Sequence, residues 1–133
     1  MLCTVFRPIN LQMRSRVCVM IRVRNARTGL LLADKVEIAD TSRARRTGLL
    51  GSAILPDGRG LWLVPCEAVH TFGMRFTIDV AFLNRKRKVL KIRKEMPRRR
   101  IAFCLRAHSA LELPAGTLER TRTCPGDQLE FAR

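Results

Sequence analysis

What most constrains this chain is how often its apolar runs are interrupted. Short apolar or β-branched stretches recur at residues 17–23 (VCVMIRV), 30–33, 35–38, 60–64 (GLWLV), 78–83 (IDVAFL), 88–94, 110–113 and 128–131 (QLEF). Turn residues separate them: Asn25 and Gly29, Pro56-Asp57-Gly58, residues 84–87, Pro114 and Pro125-Gly126. Runs this short, bounded by Gly, Pro, Asn and Asp, read as strands. The alternation of Lys35 and Glu37 with Val36 and Ile38 has the period of two of a half-buried strand, whereas 60–64 is nearly all apolar and predicts a strand buried on both faces.

One helix is predicted, over residues 42–50. Asp40-Thr41 supplies the N-cap chemistry and Gly51 stands where a helix commonly ends. Leu49 and Leu50 would face the core, with Arg43, Arg45 and Arg46 in solvent. Residues 66–73 read as an irregular crossover, residues 96–100 as a basic loop at Pro97, and residues 117–122 as one or two helical turns. The sum predicts an all-β fold, a β-sandwich or jelly-roll-like barrel, with one short α-helix and a helical turn near the C-terminus. Residues 1–15 read as a loose extension and 16–133 as a single β-rich domain.

A chain of 133 residues with a 47% hydrophobic fraction can bury a core without a disulfide or a metal. Its five cysteines, Cys3, Cys18, Cys66, Cys104 and Cys124, are odd in number and form no CxxC, so reduced thiols are expected. No apolar run is long enough for a membrane-spanning helix, and Arg7, Pro8 and Asn10 interrupt the opening segment, so no signal peptide is read and a cytoplasmic protein is expected. The net charge of +15, mostly from arginine, attracts nucleic acid, anionic lipid or acidic proteins, and also fits a GC-rich coding bias.

No GxGxxG, Walker, GxSxG or HExxH motif occurs, and no cofactor is expected. The densest set of reactive side chains lies in residues 66–79. Here Cys66, Glu67, His70 and Asp79 are the candidate catalytic residues, with His70 as base or ligand and Cys66 or Glu67 beside it. The structural alternative has His70 and Thr71 fastening a tight crossover, and Asp79 paired with Arg75 or with backbone amides. Cys66-x3-His70 recurs as Cys104-x3-His108, which offers zinc-like ligand types in an order unlike a zinc finger, and no metal is expected. Arg85-Lys86-Arg87-Lys88 at a hairpin tip and Arg98-Arg99-Arg100 in a neighbouring loop could together make one phosphate-binding patch for weak nucleic-acid or acidic-protein binding; the alternative is a solvated face that guards a hairpin edge. Glu112 and Asp127 read as acids in structural ion pairs.

Gly48-Leu49-Leu50, the apolar strand 60–64, His70-Thr71-Phe72-Gly73-Met74 with 78–82, Pro97-Arg98-Arg99, residues 111–117 (LELPAGT) and Gly126-Asp127 follow one another in an order that resembles the bacterial and archaeal domain of unknown function 192 (DUF192), over about residues 22–131. The resemblance implies a compact jelly-roll β-sandwich with a short helix, and no established reaction, cofactor or partner. Many such relatives carry an export signal. The chain departs from the pattern at Thr77, where proline is common, and at residues 84–88, where an Asp/Gly turn is common, which makes this tip unusually basic. Together these readings lead to a small non-catalytic binding or accessory module, with an enzyme centred on Cys66, Glu67, His70 and Asp79 or a basic nucleic-acid-associated protein as alternatives.

Overall fold

The structure, a computed structural model, describes residues 19–133; the expected N-terminal extension and the start of the first expected strand lie outside them. Nine strands and two short helices follow in the order β1 (Ile21–Asn25), β2 (Leu31–Ala39), α1 (Ser42–Thr47), β3 (Arg59–Leu63), β4 (Ala68–His70), β5 (Ile78–Leu83), β6 (Val89–Met96), β7 (Ile101–Phe103), β8 (Ser109–Pro114), α2 (Thr117–Arg120) and β9 (Leu129–Ala132). Seven strands form one sheet in the order β6-β5-β8-β3-β2-β1-β9, and β4 and β7 form a separate two-stranded ribbon. The fold is therefore all-β with a short helix and a C-terminal helical turn, and the large sheet curls into a half-barrel.

The curl brings the two edge strands together. Lys88 bridges Gln128, Val89 N–H donates to Asp127 O (2.8 Å), Gly126 N–H to Val89 O (2.7 Å) and Leu129 N–H to Arg87 O (3.1 Å). The sheet's faces bury different cores because strand side chains alternate. Ile78, Val80 and Phe82 of β5 join Leu61 and Leu63 under the β4–β7 ribbon. Ala81 and Leu83 point the other way, into the hollow of the curl, with Leu111, Leu113, Leu118 and Leu129. Every residue of β5 and of β8 is buried, as befits strands covered on both sides.

Four local expectations change. Trp62 is only half-buried: it packs on the edge of the inner core beside the Phe131 ring (4.5 Å between centroids), with the Arg87 guanidinium over it (5.4 Å). The helix stops at Thr47 because Gly48 takes a positive φ of 47°, a conformation that glycine adopts at little cost. Its cap is as expected: Thr41 Oγ1 accepts from Ala44 N–H at 3.0 Å. Arg45 is not simply solvated: its guanidinium donates to the Asp40 and Val64 carbonyls (2.9 and 3.0 Å), strapping α1 to the end of β3. The crossover at 66–73 contains β4, and its ribbon partner β7 follows the loop at Pro97; both are too short to show a period.

At the closure the Asp127 carboxylate accepts from Arg27 Nε (2.7 Å) and a second guanidinium nitrogen (3.0 Å), from Asn25 Nδ2 (2.8 Å) and from Cys124 N–H (2.9 Å). The Arg27 hydrogen bonds, helped by Cys124 N–H and Asn25, hold its pKa well below the usual carboxylate range despite burial. A carboxyl more acidic in the folded state adds stability that is complete above its unfolded pKa of about 4 and is lost as pH falls through that value toward the folded one. Asp127→Ala should cost about 2–4 kcal/mol near neutrality, because the Arg27 guanidinium, Asn25 Nδ2 and Cys124 N–H all lose their acceptor. In urea melts the gap from wild type should narrow between about pH 6 and about pH 3; an equal gap at both would mean that the charge contributes nothing.

Packing gives a second expectation. Phe82, fully buried, should cost about 3–5 kcal/mol when changed to Ala. Trp62→Ala should cost less, about 1–3 kcal/mol, since part of its surface stays wet. Urea denaturation that ranked Trp62 above Phe82 would contradict this picture of the core.

Candidate functional site

His70 ends β4 and is buried. It lines a cavity of about 20 Å³ together with Glu112 of β8, Leu63 of β3, Met74 and the segment 45–50 that carries the end of α1. That volume suits about one water molecule. His70 Nδ1 accepts from Phe72 N–H (3.2 Å), so in the neutral ring the hydrogen sits on Nε2 and makes it a donor. Thr71, fully buried, ties the crossover to the β6–β7 loop: Oγ1 donates to Pro97 O (2.6 Å) and accepts from Arg100 N–H (3.0 Å), while Thr71 N–H donates to Arg100 O (2.9 Å).

The four candidates do not converge. Cys66 is buried beside β4, its Sγ 3.1 Å from Ala68 O. Glu67 is exposed and lines a different, open cleft with His108, Arg85, Lys86 and Arg106. Asp79 lies on the opposite face of the sheet from His70, on the side of Ala81 and Leu83. Its carboxylate accepts from Glu95 N–H (2.7 Å) and Leu118 N–H (2.8 Å), so it joins β5 to the end of β6 and to α2 through backbone amides and not through Arg75. The two Cys-x3-His repeats lie side by side across the antiparallel β4–β7 ribbon, Cys66 N–H donating to His108 O (3.0 Å) and Cys104 N–H to Glu67 O (2.8 Å), but their histidines part: His70 lines the small cavity and His108 the open cleft. Among the described residues no three His, Cys, Asp or Glu side chains gather to hold a metal.

The acid that shares the histidine's cavity is Glu112. In the sequence it was visible as a charge between two leucines, but its nearness to His70 comes only from the lie of the ribbon over β8. Arg45, which lines the same cavity, carried no signal beyond its place in a basic helix.

The two basic runs form separate surfaces. Arg85-Lys86-Arg87-Lys88 tops the β5–β6 hairpin, and Arg98-Arg99-Arg100 follows the far end of β6. The eight residues of β6 between them span roughly 25 Å. The tip is firmly built: Asn84 Oδ1 accepts from Lys86 and Lys88 N–H (2.9 Å each), Gln128 Nε2 donates to Lys86 O, and the Arg87 guanidinium sits 4.9 Å from the Phe131 centroid. Arg85 and Lys86 line two open clefts at once, of about 530 and 480 Å³.

Thr71→Val, which keeps the shape and removes the hydroxyl, should destabilise by about 1–3 kcal/mol because Arg100 N–H loses its partner. Unchanged urea stability would mean that water replaces the hydroxyl.

No curated protein matches the chain. Among solved structures, a protein of Sinorhizobium meliloti named as a putative transcription regulator shares the fold with a TM-score of 0.77 and 23% identity, over 89% of this chain and 98% of that one. A protein of unknown function from Novosphingobium aromaticivorans gives 0.74 and 20%, over 96% and 95%. Likeness at these identities establishes the architecture alone. The family profile of DUF192, described as an uncharacterized ACR, matches residues 22–131. With nearly all of the curled sheet inside that match, the chain belongs to the DUF192 family.

Proposed function

We propose that this protein is a non-catalytic binding module whose partner is a polyanion held at the β5–β6 tip. The observation that carries the reading is the pair of open clefts flanking Arg85 and Lys86. Both are in the size range of ligand sites. Each presents cations on a backbone fixed by Asn84, Gln128 and Phe131, so little side-chain and loop entropy is lost on binding. The cavity at His70 supports the enzyme reading less well, since about 20 Å³ admits a water and no substrate. We read His70, with Nδ1 engaged by Phe72 N–H and Glu112 as the acid lining the same cavity, as a fastening beneath α1.

Duplex DNA serves as the polyanion probe. Binding of about 10 μM or tighter at about 150 mM salt is expected, where weak surface charge alone is largely screened. Each phosphate neutralised contributes about −0.9 to the slope of log K against log salt, so Arg85→Ser with Lys86→Ser should flatten the slope by about 1.8 while leaving urea stability intact. Weaker binding, or a slope that the double variant does not change, overturns the reading.

A further inference from the structure

The ribbon carries a surface that the tip does not explain. Along β7 exposure alternates: Ile101 is 51% exposed, Ala102 is 2% and Phe103 is 56%, and Leu105, just beyond the strand, is 76% exposed. Ala102 anchors this ridge in the core beneath, so the three large apolar side chains are held outward by the fold. Cations flank them. Lys91 Nζ donates to Phe103 O (2.8 Å) and lies 5.2 Å from the Phe103 ring centroid. Arg93 and Arg100 share a cleft with Ile101, and Arg106 follows Leu105. Two acids, Glu67 and Glu95, stand on or beside these strands, and the sum remains strongly positive.

We propose that this ridge docks on an anionic lipid surface, with Ile101, Phe103 and Leu105 entering the headgroup–acyl boundary and the surrounding Arg and Lys side chains meeting lipid phosphates and carboxylates. Charge complementarity selects this occupant. An apolar ridge inside a cationic rim matches a membrane in both respects: apolar side chains gain by leaving water, and each nearby cation gains in the negative surface potential. A second copy of the chain would bring another +15 against the first. A nucleic acid would meet the rim but has no apolar layer to receive Ile101 and Leu105.

The test uses the full chain and sedimentation with unilamellar vesicles of phosphatidylcholine alone or with about 30 mol% phosphatidylserine, at about 150 mM salt. Wild type should bind the anionic vesicles and hardly bind the neutral ones. Phe103→Ser with Leu105→Ser, both at exposed positions, should weaken anionic-vesicle binding about tenfold or more at unchanged urea stability. Arg85→Ser with Lys86→Ser should weaken it less than the ridge variant does, which separates this surface from the tip. Absence of binding to the anionic vesicles, or equal binding by the ridge variant, overturns the proposal. So does a wild-type dimer in analytical ultracentrifugation that the ridge variant abolishes, because the ridge would then belong to a second copy.

Discussion

Asp127 joins parts of the chain that are far apart in sequence. Its carbonyl accepts from Val89 and so closes β6 against the turn that leads into β9. Its carboxylate takes hydrogen bonds from Asn25 and Arg27, at and just beyond the end of β1, and from Cys124. A curled sheet with open edges would expose two rows of unpaired backbone groups; closure at this corner satisfies part of them. The hollow lined by Val23, Leu83, Leu111 and Leu129 can stay dry only while the edges are held together. Both the inner core and the rigid tip above it depend on that closure, since Gln128, one residue on, holds Lys86 O.

Closure also sorts the polar groups by side. On one face His70 and Glu112 line a small cavity under α1 together with Arg45, whose guanidinium donates to the Asp40 and Val64 carbonyls. On the other, Asp79 satisfies the amides of Glu95 and Leu118. Buried polar groups used in this way make the sheet specific, because each would be costly without its partners. What remains open to solvent is cationic at the hairpin tip and cationic with an apolar ridge along β7.

Most strands of the large sheet were legible from short runs and turn residues, because the two-residue period and the turn chemistry are local properties. The cap of α1 was legible for the same reason. β4 and β7 were not, as three residues are too few to show a period and both are fixed by the core beneath them. The half-buried state of Trp62 escaped a reading of its apolar neighbours, since exposure depends on what lies opposite, here Phe131 from the far end of the chain.

The all-β class, the family, the basic tip and the reactive residues of 66–79 could be read from the residues alone, because each is written in contiguous stretches of chain. Folding was needed to show that Asp79 lies on the far face from His70, that Glu112 shares the histidine's cavity, and that the two basic runs stand at opposite ends of β6. Those outcomes depend on strand alternation combined with the order and register of strands distant in sequence. Register is set by the burial of the whole sheet, and no single segment carries that information.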